Sequence, residues 1–137
     1  MAYKIRRVDY FYTTVKDRPG EAYRLLSDLE KLNINLLAIT AIPTGPDNTQ
    51  LTIFPEDSLM LTSEAKKVGM KLDGPHRAIL VQGDDELGAL AEIHMKLYKA
   101  NVNIYASNGI ADGKGGYAYL LYIRPDQYDI ATQALDI

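Results

Sequence analysis

The stretch Thr14–Ala22, TVKDRPGEA, joins a segment rich in aromatic and β-branched residues to one in which leucines recur every three or four positions. The first composition favours a strand, and the leucine spacing favours an amphipathic helix over about residues 19–32. Pro19 suits the first turn of that helix, where no amide hydrogen is needed. A second strand is predicted over residues 34–42, and it opens within Asn33–Leu36, NINL. The order is therefore strand, turn, helix, strand.

The same pattern returns 68 residues later. The segment Asp85–Gly88, DELG, aligns with Asp17–Gly20, DRPG, and Asn101–Ile104, NVNI, aligns with NINL. One offset holds through strand-like, helix-like and loop-like stretches, which indicates two copies of one unit.

Each unit is predicted to follow the ferredoxin-like order βαββαβ. The predicted fold class is α+β, with two such units, antiparallel sheets and the helices on one face. The turn-forming tripeptide Asp73–Pro75 marks the boundary, so the expected domains are 1–72 and 73–137. The second unit has no obvious final strand. Either this strand is absent, or the end of the chain has been trimmed, or another segment fills its place.

Composition excludes several classes of protein. The 137 residues are 47% hydrophobic and 24% charged, as in a globular protein, and they include no cysteine and two histidines. Thiolate nucleophiles and zinc fingers are thereby excluded, and we expect no metal, no cofactor and no catalysis. No stretch has the composition of a signal peptide or a membrane helix, so we expect a cytoplasmic protein that does not contact membranes.

Charge argues against nucleic acid as a partner. Residues 1–72 carry ten Lys/Arg and nine Asp/Glu, a net charge of +1, whereas residues 73–137 carry five and nine, a net charge of −4. The sum is the −3 of the whole chain. A phosphate backbone would be repelled by the second unit.

The Asp-x-Pro-Gly turn, the apolar helix after it and the strand that opens with Asn-Ile resemble the ACT domain family. The resemblance covers essentially the whole chain as a tandem pair, although Leu87 stands where the second copy would carry the proline. It implies a regulatory module that binds a small ligand, often an amino acid, between two copies. We therefore expect a small-molecule ligand, a homodimer that covers the sheet edges, and a regulated enzyme as a further partner.

Position by position, the resemblance implies ten ligand-binding residues. They are Asp17, Arg18, Pro19, Gly20 and Asn35 in the first unit, and Asp85, Glu86, Leu87, Gly88 and Asn103 in the second. Their chemistry suits a zwitterion: helix N-terminal amides attract a carboxylate, and the aspartates attract an ammonium group. Glycine lets a ligand approach the backbone, and an asparagine amide offers both donors and an acceptor.

Each of these residues also has a purely structural interpretation. Asp17 and Asp85 could favour the helix N-terminus or form Asx turns, and Gly20 could allow close helix–strand packing. Asn35 and Asn103 could bond a neighbouring loop.

Three other residues have structural interpretations only. Asn33 and Asn101 fall just past their helices, where a left-handed asparagine commonly ends a helix. His94 lies on the apolar helical face and is predicted to be a core or interface residue.

Two alternatives to ligand binding remain. The stretch Gly116–Tyr122, GYAYLLY, is similar to an RNA-recognition-motif strand, in which Tyr117 and Tyr119 would stack on bases. Its partner strand Arg77–Val81 has no aromatic residue, so the tyrosines could instead cover the open sheet face at an interface. The other alternative is a pairing scaffold that binds no ligand.

Overall fold

The computed structural model describes residues 3–137, which form six strands and four α-helices. In chain order the elements are β1 (Tyr3–Lys16), α1 (Glu21–Lys31), β2 (Leu36–Pro43), β3 (Asn48–Pro55), α2 (Ser58–Lys67), β4 (Asp73–Asp84), α3 (Ala89–Lys99), β5 (Ala106–Ala111), β6 (Gly116–Tyr122) and α4 (Tyr128–Ala134), with a 3-10 turn at Pro125–Gln127 before α4. The predicted α+β class is confirmed.

The described chain divides into two compact units. The first unit is Asp9–His76, and the second consists of residues 3–8 together with Arg77–Ile137. Both β1 and β4 cross this division. Strand order is β2-β3-β1-β4 in the first unit and β1-β4-β6-β5 in the second, which is the ferredoxin-like order in each case.

The first unit buries one apolar cluster between its helices and its sheet. Phe11 of β1 and Ile53 of β3 face Leu29 of α1 and Leu61 of α2, and all four side chains are buried. The leucines of α1 recur at helical spacing, which places Leu29 on the sheet side of the helix.

The second unit has a larger core, and the beginning of the chain contributes to it. Ile79, Leu121, Ile93 and Leu97 are buried in this core. Tyr3 and Ile5 pack against the cluster, and residues 3–8 belong to this unit. The start of β1 therefore supplies the strand that the sequence pattern did not provide at the C-terminal end. The predicted domains 1–72 and 73–137 differ from the compact units at both ends: residues 3–8 belong to the second unit, and residues 73–76 belong to the first.

The two units repeat one backbone design at an offset of 68 residues. Phe11 pairs with Ile53 across β1 and β3, and Ile79 pairs with Leu121 across β4 and β6. The amide of Asp17 donates to the carbonyl of Asp47 at 2.9 Å, and the corresponding amide of Asp85 donates to Gly115 at 2.9 Å. Pairing register and turn geometry are thus conserved between the units.

Both predicted asparagine caps are confirmed. Asn33 and Asn101 have φ of 61° and 59°, in the left-handed region. After each one the next amide, of Ile34 or Val102, reaches back 2.9 Å to the carbonyl of Leu29 or Leu97. This is the Schellman arrangement, which satisfies carbonyls at the end of a helix.

The segment Asp73–Pro75 is not a turn between domains. It forms the beginning of β4. Pro19 likewise precedes α1 instead of lying in its first turn. At Asp73–Pro75, strand pairing along β4 outweighs the local preference of these residues for a turn.

Candidate functional site

The strand–helix turn has the same shape in both units. Gly20 and Gly88 occupy the N-cap positions of α1 and α3 with φ of 91° and 82°, a conformation that glycine adopts without strain. A methyl group added at either glycine would meet no atom within 4 Å. Close helix–strand packing is therefore the wrong explanation for Gly20, and the backbone beside it is open to approach.

The aspartates of the two turns do not cap their helices. Neither α1 nor α3 has a side-chain hydrogen bond at its N-cap. Asp17 and Asp85 are exposed, and within residues 3–137 neither carboxylate forms an ion pair or a side-chain hydrogen bond. The capping interpretation of these two residues is wrong, and both charges are free to interact with a ligand.

In the second unit the turn opens onto a cavity of about 790 Å³. Its lining comes from the turn and first residues of α3 (Asp85–Ala91), from β5 (Gly109–Ala111) and from β6 (Tyr117–Tyr119). Four predicted residues, Asp85–Gly88, are thus brought together at one cavity. Asn103 is not among its lining residues.

The cavity combines an acidic rim with apolar walls. Asp85 and Glu86 are exposed at the turn, and no cation of residues 3–137 pairs with either of them. Leu87 is fully exposed and Ile110 is 75% exposed, so both present apolar surface to solvent. Together with the amide end of α3, this surface could hold a small molecule that carries both charge and an apolar group.

The two candidate asparagines differ from each other. The side chain of Asn35 donates from Nδ2 to Oε2 of Glu56 at 3.0 Å, and the backbone carbonyl of Asn35 accepts from the backbone amide of Glu56 at 2.8 Å. The structural interpretation, a bond to the neighbouring loop, therefore holds for Asn35. Asn103 is exposed, and its backbone amide donates to Oε1 of Gln127 at 3.3 Å. Neither residue lies within a strand, since β2 and β5 begin later.

The first-unit turn holds an ion pair that sequence analysis missed. Nε of Arg18 lies 2.5 Å from Oε1 of Glu21, and NH1 of Arg24 lies 3.8 Å from Oε2 of the same carboxylate. The Glu21 side chain is only 12% exposed. At the equivalent position, 68 residues on, the second unit has Ala89. That difference is visible in the sequence, but its meaning depends on knowing where the side chain lies.

Tyr117 and Tyr119 do not lie on an open sheet face. Tyr119 is 6% exposed and belongs to the core between sheet and helices, where its hydroxyl lies 2.7 Å from Nε2 of His94 on α3. Stacking on bases needs exposed rings, so the RNA-binding interpretation through these residues is wrong, as is their assignment to an open face. His94 itself is exposed, so its prediction as a core residue is wrong, and its role at an interface stays a prediction.

Tyr117 has an unusual hydroxyl. Among residues 3–137 this buried hydroxyl has no hydrogen-bond partner. Burial raises the pKa of Tyr117 above its ordinary value, and the negative charges of Glu92 and Asp84 add to the effect. The hydroxyl therefore stays protonated at neutral pH.

Other kinds of site find no support in the described chain. Residues 3–137 contain no group of three or more metal-ligating side chains. Nor does any helix in that range combine the length and the apolar composition that crossing a bilayer requires.

Comparisons with known proteins identify the fold. No protein-family model and no curated protein matches the chain. Among solved structures, a protein of Bacteroides thetaiotaomicron is similar with a TM-score of 0.79 at 17% identity, over 96% of this chain and 88% of that one.

Two further similar structures are regulatory subunits of aspartate kinase. The subunit from Thermus thermophilus, in its ligand-free form, has a TM-score of 0.63 at 12% identity, over 98% of this chain and 94% of that one. The subunit from Thermus flavus has a TM-score of 0.55 at 14% identity, with the same coverage. At these identities the similarity shows the fold, which is ACT-like.

Proposed function

We propose that this chain is a tandem ACT-like regulatory module, without catalysis of its own, that binds a free amino acid in the second-unit cavity. One observation carries the proposal: the predicted residues Asp85–Gly88 line a cavity of about 790 Å³. That volume lies within the usual range of small-molecule sites. The prediction of ligand contacts for Asp17–Gly20, Asn35 and Asn103 stays a prediction.

The chemistry of the cavity matches a zwitterion. A carboxylate would be stabilised by the unpaired amides and the positive end of α3, which Gly88 leaves uncovered. An ammonium group would be attracted by Asp85 and Glu86, which have no cationic partner in the described chain. An apolar side chain would rest against Leu87 and Ile110.

Regulation would follow from linkage. A ligand that prefers one packed arrangement of the chains stabilises that arrangement, and a homodimer whose second copy covers the cavity would transmit this preference to a regulated enzyme. Two of the similar structures are regulatory subunits of aspartate kinase, which favours a regulatory over a catalytic role. We place this activity in the cytoplasm.

A pairing scaffold without ligand is the second candidate. All six residues of β5, a strand at the sheet edge, are exposed, and both Ile110 within it and Leu87 of the turn present apolar surface. An exposed edge strand of this kind favours pairing with another chain. A scaffold would form a tight oligomer whose melting temperature does not respond to any amino acid.

A thermal-shift screen of the twenty amino acids separates the two candidates. The regulatory module should show a raised melting temperature with one or a few of them, and Asp85→Ala should weaken that binding about tenfold, because a charged hydrogen-bond partner is lost. Asp126→Ala is the matched control, since it removes an exposed carboxylate away from the cavity. If Asp17→Ala and Asp85→Ala both leave a genuine hit unchanged, the site assignment is wrong.

A further inference from the structure

The edge strand β5 contains Asn108–Gly109, the one asparagine–glycine pair of the chain. The backbone nitrogen that follows an asparagine can attack the side-chain amide, and glycine favours this attack because it has no Cβ to crowd the nitrogen. In a folded chain the reaction therefore depends on two conditions. The glycine amide must be free of the sheet, and the asparagine side chain must be free of partners.

The backbone amide of Gly109 points away from the sheet. Near the hairpin end of β5, the amide of Asp112 donates to the carbonyl of Gly116 at 2.9 Å, which makes these two residues a hydrogen-bonded pair. Such pairs alternate along antiparallel strands, so Asn108 is bonded to Leu120 and the amide of Gly109 is not bonded to β6. Because β5 is the last strand of the sheet, that amide faces no other strand among residues 3–137.

The side chain of Asn108 is also accessible. It is exposed, and in the described part of the chain no other group forms a hydrogen bond with it. Packing requires the glycine beside it, since a Cβ at Gly109 would lie 2.9 Å from Cδ1 of the buried Tyr119 ring. Both conditions for attack are thus met at this pair.

The two aspartate–glycine pairs of the chain, Asp73–Gly74 and Asp112–Gly113, do not meet these conditions. Oδ1 of the first aspartate lies 2.9 Å from Nε2 of His76, and Oδ1 of the second accepts from the amides of Lys114 and Gly116. Both groups are ionised at neutral pH, and an ionised carboxylate is a poor target for an amide nitrogen. The reactive site is therefore confined to β5.

We propose that Asn108 is a site of spontaneous modification, at which the side-chain amide is lost as ammonia through a succinimide formed with Gly109. The nitrogen of Gly109 forms a bond to Cγ of Asn108, the bond between Cγ and Nδ2 breaks, and ammonia leaves with the proton of the Gly109 amide. Water then opens the ring at either carbonyl and gives aspartate or isoaspartate. This inference does not depend on the proposed function.

Ring closure requires the edge of the sheet to open locally. The Asn108–Gly109 peptide must turn about ψ of the asparagine, which separates the carbonyl of this peptide from the amide of Leu120. Edge segments open at low cost, and one net hydrogen bond corresponds to roughly a fivefold change in an equilibrium. The reaction in the folded chain should therefore proceed within about tenfold of its rate in the unfolded chain.

Either product alters β5. The strand contains no charged residue, so a carboxylate at position 108 is its first charge. Isoaspartate also adds one carbon to the backbone, which disturbs the alternation of side chains along a strand. A charge on an edge strand disfavours pairing with another chain, so the modified form should pair less readily along β5.

The test follows the full chain by peptide mapping. The protein is incubated at neutral and at mildly alkaline pH, with and without unfolding urea, and mass spectrometry records the replacement of the side-chain NH2 by OH in each asparagine-containing peptide. We expect Asn108 to react before every other asparagine, faster at the higher pH, and in the folded chain within about tenfold of the rate in urea.

Two variants support the assignment. Asn108→Gln should abolish the change in its peptide, because the longer side chain closes a less favourable ring. Gly109→Ala should slow the reaction severalfold, and its measurement in urea remains valid if this variant does not fold. Retention of Asn108 in the folded wild type while the chain in urea is fully converted would overturn the proposal. Earlier conversion of another asparagine, or an unchanged rate in Gly109→Ala in urea, would do the same.

Discussion

The hydroxyl of Tyr119 on β6 lies 2.7 Å from Nε2 of His94 on α3, and it donates to Oγ of Ser107 on β5 at 3.1 Å. Because Tyr119 gives its proton to Ser107, it can accept one from His94. One tyrosine hydroxyl thus connects a helix to the edge strand, and Tyr119 is also one of the residues that line the cavity.

Removing that hydroxyl should destabilise the protein. Tyr119→Phe keeps the buried ring but leaves His94 and Ser107 without this partner, and each net hydrogen bond is worth about 1 kcal/mol. We expect the free energy of unfolding, measured by urea denaturation, to fall by about 1–2 kcal/mol. Tyr98→Phe is the control, because Tyr98 is highly exposed on the same helix. Equal stability of the two variants would contradict the connecting role.

A methyl group at Gly109 should disturb the same tyrosine. A Cβ at this position would come within 2.9 Å of Cδ1 of Tyr119, whose buried ring has little freedom to move. Gly109→Ala should therefore cost about 1–3 kcal/mol, the usual penalty for overpacking. Thermal denaturation would measure the loss, with Asn108→Ala, at the exposed neighbouring position of β5, as the comparison. A gain in stability would show that the ring relaxes freely.

The turn glycines should be sensitive to substitution for a conformational reason alone. Gly20 and Gly88 have φ of 91° and 82°, and no atom lies within 4 Å of an added Cβ. Alanine at either site should cost about 1–2 kcal/mol from left-handed strain, and asparagine should recover part of the loss. Denaturation of Gly20→Ala, Gly20→Asn and the two Gly88 counterparts would measure this. Alanine and asparagine variants of equal stability would argue against backbone strain as the cause.

Stability at acid pH should depend on Asp112. Its Oδ1 accepts from the amides of Lys114 at 2.7 Å and Gly116 at 3.1 Å, and these bonds, that of Lys114 first, hold the Asp112 pKa below its ordinary value. A lowered folded pKa means that the stabilisation is present above the ordinary aspartate pKa and is lost as the pH falls through the folded value.

The measurement is chemical denaturation from neutral pH down to about pH 3, near the ordinary aspartate pKa. Asp112→Asn keeps an acceptor oxygen without a titrating group, so its stability should fall less steeply with acid than that of the wild type. Asp126→Asn, which removes a carboxylate with no side-chain hydrogen bond among residues 3–137, serves as the control. Parallel pH profiles for wild type and Asp112→Asn would rule out this contribution.

Local features of the chain could be predicted from residue types. The asparagines at 33 and 101 were correctly expected to end helices, since few other residues tolerate positive φ. The strand order followed from the repeated unit. By contrast, Asp73–Pro75 contains the residues of a turn and yet begins β4. A turn signal reports only local preference, and pairing with a neighbouring strand outweighs it.

The candidate site was only partly predictable, for a related reason. Asp85–Gly88 were identified from the motif, whereas the opposite wall, Gly109–Ala111 and Tyr117–Tyr119, was not assigned to the site. Those residues are more than twenty positions away along the chain and reach the turn only because β5 and β6 pair beside β4. The side chain of Asn35 bonds Glu56, and its contact with a ligand stays a prediction.

The residues alone were sufficient to reveal the repeat at 68 positions, the α+β class and the glycine turns, because helix periodicity, caps and left-handed glycines depend on interactions within a few residues. Folding in three dimensions decided that residues 3–8 complete the second unit, that the carboxylate of Glu21 is held by Arg18, and that the tyrosines face the helices. These outcomes depend on burial and pairing between segments far apart in the chain, where many arrangements satisfy the local preferences and only packing selects among them.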